Sequence, residues 1–189
     1  MSNKGKKSLG VKRIVSVALM TAILCAVSPF ALTIPISPVP ISLATFIIYL
    51  AIMILGMRDG TISVVLYVLL GFVGAPVFTG FAGGAGKVLG PTGGYIIGYI
   101  FMSIITGFFV DRSYKSHSFA MQFLGMVIGT AVLYLFGSAW LSKQANMTFI
   151  TALSVGTLPF IIGDLVKIVV SIVIGGKVRS ILIKNNFLK

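Results

Sequence analysis

The stretch Leu158-Pro159-Phe160-Ile161-Ile162-Gly163-Asp164-Leu165-Val166-Lys167-Ile168-Val169-Val170-Ser171-Ile172-Val173-Ile174 decides the fold. Between Gln144 and Gly176 the only ionisable side chains are Asp164 and Lys167, and the run around them is long enough to cross a bilayer, which takes roughly 20 apolar residues. A charge at the centre of a membrane helix costs about 3 kcal/mol even by the lower estimates. Such residues face a bundle interior or a cavity and mark a substrate or ion pathway. Asp164 and Lys167 are therefore the first candidate site.

The rest of the chain is of the same kind. It is 57% hydrophobic and 10% charged over 189 residues, too little charge to cover the surface of a water-soluble domain. Its mean hydropathy is +1.09. The lone Cys25 forms no internal disulfide and reads as apolar packing.

Apolar runs between charges and turn residues predict six helices, at Ile14–Leu32, Ile41–Gly56, Thr61–Gly74, Gly94–Val110, Phe119–Leu141 and Met147–Ile174. The second and third are short for full spans, so tilted, broken or partly re-entrant helices are expected there. The fold class is an all-α integral membrane six-helix bundle, one transmembrane domain over residues 1–189 with basic tails at 1–13 and 177–189. The first run resembles a signal peptide, but no small-residue cleavage site ends it and further spans follow at once, so it stays as a helix.

The formal charge of +12 does not point to nucleic acid, because the basic residues bracket apolar segments rather than line a basic face. Lys4, Lys6, Lys7, Lys12 and Arg13, then Arg58, the segment Asp111-Arg112-Ser113-Tyr114-Lys115, and the tail with Lys177, Arg179, Lys184 and Lys189 all fall on one side of a six-helix arrangement. Only Lys87 and Lys143 fall on the other. By the positive-inside rule both termini are cytoplasmic, with Trp140 in an outer interfacial belt.

Two segments on the outer side are not simple connectors. Thr33-Ile34-Pro35-Ile36-Ser37-Pro38-Val39-Pro40 is kept extended by its prolines. The stretch from Gly71 to Gly94 is long, apolar and glycine-rich, and non-helical backbone at membrane depth is tolerated only where it is buried or lines a cavity. It is a candidate lid.

Pro159 suits the first turn of the last helix. Counting back from Lys177 at about 1.5 Å per residue puts Asp164 roughly 20 Å above the cytoplasmic boundary, in the outer half of the membrane. A spacing of three places Asp164 and Lys167 on one helix face. Together they offer an acceptor for N–H donors and a cation for a carboxylate, with Phe78, Phe81 and Tyr95 as walls for an apolar middle and Thr79 and Thr92 as nearby polar candidates. Mutual neutralisation that merely fastens helices is the alternative reading. In the first helix Ala18, Ala22 and Ala26 make a small-residue stripe that permits close helix approach, either inside the bundle or against a separate membrane subunit.

Gly80 to Lys87 departs from a phosphate loop at Phe81 and Val88. The only histidine, His117, falls in a cytoplasmic loop, Asp59 and Asp111 fall in others, and no cysteine–histidine cluster suggests a metal. No cofactor and no catalytic constellation is expected.

Three elements in order carry a family resemblance: Gly74-Ala75-Pro76-Val77-Phe78 with Gly80, Gly83 and Gly84; Leu89-Gly90-Pro91-Thr92-Gly93-Gly94-Tyr95; and Gly163-Asp164-Leu165-Val166-Lys167. They closely resemble the BioY family, the biotin-capturing S subunits of energy-coupling-factor transporters, over nearly the whole chain. The resemblance implies a multi-pass subunit of a prokaryotic plasma membrane that takes biotin from outside. It also implies partners: a transmembrane coupling subunit and two cytoplasmic ATPase subunits. Asp164 and Lys167 would contact the vitamin, Asp164 at the ureido ring and Lys167 at the carboxylate. Where many relatives have proline before the Gly-Asp pair, this chain has Ile162, and no arginine in the outer segments supplements Lys167, which makes Lys87 a second candidate cation. The competing expectation is a stand-alone secondary carrier using Asp164 as a proton or ion site.

Overall fold

The computed structural model describes residues 3–32, 39, 41–114, 118–185 and 187. Its elements are α1 (Asn3–Val27), β1 (Ala31–Leu32), β2 (Ile41–Ser42), α2 (Ala44–Val73), α3 (Ala85–Leu89), α4 (Gly93–Tyr114), α5 (Phe119–Gln144), α6 (Phe149–Gly156), a 3₁₀ turn (Leu158–Phe160) and α7 (Ile161–Lys184). Among the described residues, five segments are long and apolar enough to cross a membrane: 10–27, 44–73, 93–113, 119–144 and 149–184. The fifth is broken at the 3₁₀ turn, and the second consists of two helical arms.

The two arms of α2 meet at Gly56, whose φ of 80° and ψ of −178° are not helical. Nearly extended ψ at positive φ is a glycine-only conformation. The chain doubles back there: a Cβ on Gly60 would lie 3.0 Å from the Ala51 carbonyl, a distance no single straight helix allows between residues nine apart. This is why the second and third predicted helices are short, and counting the arms separately gives six helices. The second arm ends at Gly74, whose N–H reaches the Gly71 carbonyl at 3.2 Å and whose φ of 118° turns the next N–H, that of Ala75, onto the Leu70 carbonyl at 3.1 Å.

Several expected boundaries move. Helix α1 begins at Asn3 rather than Ile14, so the basic N-terminal stretch is helical, and it ends at Val27; Leu32 belongs to the short β1–β2 pair. Asp59 lies in the second arm of α2 and Asp111 in the last turns of α4, not in loops, because each is matched to a cation from another helix. Arg13 pairs with Asp59, and Arg179 Nη2 lies 3.5 Å from Asp111 Oδ1. The last helix continues past Ile174 to Lys184. Of the proline-rich segment only Val39 is described, and His117 and Lys115 lie outside the described residues.

Helices approach closely where glycines replace side chains. A Cβ on Gly94 would strike Trp140, one on Gly98 Leu133, one on Gly125 Phe109 and one on Gly129 Thr106, each nearer than 3.0 Å. Where lipid supplies no hydrophobic drive, such close packing holds helices together, here α4 on α5. Buried Ile48, Tyr49, Ile52 and Met53 of α2, Met102 of α4, Met126 and Leu133 of α5 and Ile168 of α7 fill the centre.

Candidate binding site between α7 and the glycine-rich segment

The break in the last span builds the site. Thr148 caps α6 by accepting the Thr151 N–H at 3.2 Å, and the helix stops at Gly156. Thr157, at φ −133° and ψ −53°, turns the chain into the 3₁₀ turn, where Pro159 needs no N–H partner. Helix α7 then starts afresh at Ile161. Asp164 falls in its first turn, where the partial positive charge of a helix N-terminus favours a carboxylate. The buried side of α7 carries Asp164, Ile168, Ser171, Ile172 and Gly175, spaced by three and four as one helix face requires.

Asp164 and Lys167 sit in a polar knot that joins three helices. Lys167 Nζ donates to Asp164 Oδ1 at 2.9 Å, to the Ser42 carbonyl at 2.9 Å and to Thr45 Oγ1 at 3.1 Å. An ammonium has three N–H donors, so all are used. Asp164 Oδ1 also accepts from Thr45 Oγ1 at 3.4 Å, while Oδ2 accepts the Tyr134 hydroxyl at 2.6 Å. The lysine and aspartate side chains are only 15% and 7% exposed. A pair this desolvated persists only when its remaining bonds are also satisfied, and here they are.

The knot lines a cavity of about 50 Å³ together with Thr45, Tyr95, Tyr99 and Tyr134. A second cavity, of about 30 Å³, is lined by Tyr67, Phe78, Thr79, Lys87 and Thr92. The two share Val39, Ser42, Tyr95 and Tyr99, so they are adjoining chambers. The fold thus gathers Asp164, Lys167, Tyr95, Phe78, Thr79, Lys87 and Thr92, drawn from α7, α4 and the glycine-rich segment.

Phe81 is not among them. It is 60% exposed, its ring set edge-on to Phe30 at 5.4 Å, and it lines neither chamber. Tyr99 and Val39 supply the apolar wall expected of it. Ala18, Ala22 and Ala26 are exposed on α1, whose Val17, Met20, Thr21 and Leu24 face inward, so the small-residue stripe is not spent on packing within the bundle.

The glycine-rich segment folds as a cover anchored at both ends. Phe78 is 1% exposed, edge-on to Tyr67 at 5.5 Å, and lies so close over Gly71 that a Cβ there would strike its ring. The Gly80 N–H reaches the Pro29 carbonyl at 2.9 Å and the Gly84 N–H the Gly71 carbonyl at 2.7 Å. At the far end, Trp140 Nε1 donates to the Gly90 carbonyl at 2.9 Å and Gln144 Nε2 to the Leu89 carbonyl at 3.0 Å. Tyr95, packed against Gly137, donates to the Gly156 carbonyl at 3.1 Å, tying α4 to the break before α7.

The sequence profile of the BioY family matches residues 1–184. The chain belongs to the BioY family. Similar proteins include a biotin transporter BioY of Thermotoga maritima, 37% identical over 150 residues that cover 79% of this chain and 86% of the relative. Another, from Lactococcus lactis subsp. cremoris, is 36% identical over 175 residues, 90% of this chain and 92% of the relative. The crystal structure of the S-component for biotin from an ECF-type ABC transporter superposes with a TM-score of 0.84 at 34% identity, covering 95% of each chain. Membership of this family, with five segments apolar enough to span a bilayer among the described residues, makes the protein a multi-pass membrane protein of transport.

Four residues of the site escape a reading of charges and glycines: Ser42, Thr45, Tyr99 and Tyr134. A usable signal existed. Tyrosines in membrane proteins favour the interfaces, and Tyr49, Tyr99 and Tyr134 lie instead well inside their spans, where a hydroxyl needs a partner.

Proposed function

We propose that this protein captures biotin as the substrate-binding subunit of an energy-coupling-factor transporter. The observation that supports this most directly is the Asp164–Lys167 pair, held by Thr45 and Tyr134 against a cavity rather than sealed in solid packing. A ureido ring carries two N–H donors, and the Asp164 carboxylate is the acceptor for them. The thioether ring and alkyl chain suit the tyrosine and phenylalanine walls of the adjoining chambers.

The positive-inside rule supports a cytoplasmic location for the end of the bundle that carries Arg13, Arg58, Arg112 and Arg179, and with it an outward-facing glycine-rich cover. Sites for drug-sized ligands run from about 300 Å³ upward. Biotin therefore enters as the cover lifts and the two chambers merge, and the cover then settles on it.

On this reading the energy for transport comes from outside the chain. ATP hydrolysis by two cytoplasmic partner subunits, relayed through a transmembrane coupling subunit, would reorient the loaded bundle, with the exposed face of α1 at Ala18, Ala22 and Ala26 as the docking surface for the coupling subunit.

Purification in detergent followed by mass spectrometry is expected to find biotin carried along with the protein, and titration of stripped protein to find one tight site. Neither carried biotin nor binding on addition would overturn the assignment. Uptake that persists in cells without any partner ATPase would instead favour a stand-alone carrier.

A further inference from the structure

Lys87 is the one feature of the joined chambers that the Asp164–Lys167 knot leaves unexplained. It projects from the short α3 of the cover, half-buried, into the chamber that also holds Thr79 and Thr92. The ion pairs among the described residues are Arg13–Asp59, Lys167–Asp164 and Arg179–Asp111, and Lys87 is in none of them. Nor does its ammonium meet any hydrogen-bond acceptor among the described residues. A cation placed on a cavity wall with two hydroxyl side chains beside it and no anion of its own is built for an anionic guest.

Lys167 is in the opposite position. Its three N–H donors are committed to Asp164, the Ser42 carbonyl and Thr45. Turning it toward a ligand carboxylate would leave Asp164 ionised without its cation in the membrane interior, an arrangement proteins avoid. Geometry adds a second argument. Residues three apart on a helix are about 5–6 Å apart at Cβ. That separation is too short for the ureido ring and the carboxylate of an extended biotin to be gripped by Asp164 and Lys167 at once. The chamber with Lys87 adjoins the chamber with Asp164 through Val39, Ser42, Tyr95 and Tyr99, which supplies the missing length.

We infer that Lys87, with the Thr79 and Thr92 hydroxyls, is the carboxylate-recognition group of this protein, while Asp164 and Lys167 act together on the ureido end. The inference rests on the biotin reading above. It makes the cover a chemical participant: a ligand with an anion at the end of its chain adds an ion pair to the hydrogen bonds that already anchor the glycine-rich segment.

The test compares biotin with its primary amide, which keeps the ring system and loses the charge, on purified full-length protein. The wild type should bind the acid at least tenfold more tightly than the amide. Lys87→Met should lose that preference by weakening the acid while leaving the amide unchanged, and Lys87→Arg should largely keep it. Lys167→Met should weaken both ligands alike. Equal affinity of the wild type for acid and amide overturns the inference, as does a Lys87→Met protein that still prefers the acid. Should Lys87→Met be too unstable to assay, the wild-type comparison and Lys87→Arg still decide. A wild type that binds neither ligand removes the biotin reading itself, an outcome distinct from a biotin binder indifferent to charge.

Discussion

The Tyr134 hydroxyl donates to Asp164 Oδ2 at 2.6 Å, from α5 to the first turn of α7. Lys167 and Thr45 engage the other oxygen, Oδ1, so the carboxylate is held from two sides and cannot rotate without breaking a bond. Fixing the rotamer in advance lowers the entropy a ligand must remove on binding.

Tyr134→Phe keeps the ring and deletes this bond. A hydrogen bond to a charged group contributes about 1.5–3 kcal/mol. Titration of the purified variant should show biotin affinity reduced by roughly one to two orders of magnitude with helical content unchanged. Wild-type affinity would mean that Tyr134 does not position Asp164.

Lys167→Met leaves Asp164 buried without its cation, and breaking such a pair costs about 3–5 kcal/mol. Thermal unfolding in detergent should therefore fall well below wild type. Adding Asp164→Asn should recover much of that stability without recovering binding. A double variant no more stable than Lys167→Met alone would show that the two side chains are not energetically coupled.

At Gly56 the backbone conformation is one only glycine adopts readily, and a Cβ would lie 2.7 Å from Asp111 Oδ1. Gly56→Ala should cost about 1–3 kcal/mol from the backbone alone. The measurement is the detergent melting temperature. Asp111→Ala, which removes the acceptor for the Met57 N–H at 3.0 Å, should lower it by a smaller amount.

The Phe78 ring lies directly over Gly71, so Gly71→Ala must push it outward. Because Phe78 lines the chamber that holds Lys87, binding should weaken while the bundle stays folded. Susceptibility of the 74–92 segment to a protease should rise in parallel; unchanged binding and unchanged cleavage would detach the cover from the site.

The helices were legible because lipid leaves few ways to satisfy a backbone, so apolar runs between charges locate them. Asp164 and Lys167 were legible for the same reason, as the ions a membrane would not hold without cause. The doubling at Gly56 was visible only as two runs too short to span, since nothing in a glycine between Leu55 and Met57 announces a reversed chain. Boundaries beside Asp59 and Asp111 were misplaced because a charge was read as the end of a helix, whereas a cation from another helix lets each acid stay helical. Tyr134 and Thr45 were hidden by type: their hydroxyls matter through partners 30 and 119 residues away, a relation that spacing along one helix cannot express. Phe81 was misread for the converse reason, its aromatic ring pointing away from the chambers that its neighbours line.

All three carboxylates of the chain are matched to cations within the fold, Asp59 by Arg13, Asp111 by Arg179 and Asp164 by Lys167. The formal excess of +12 is therefore left without carboxylate partners in the fold, and along the sequence most of it falls in the two tails and the connectors at 58 and 111–115. Acidic phospholipid headgroups supply about 1 kcal/mol of attraction per basic side chain at the surface. The surrounding leaflet completes the electroneutrality of the molecule, so its bilayer composition is as much a part of its native state as its helices.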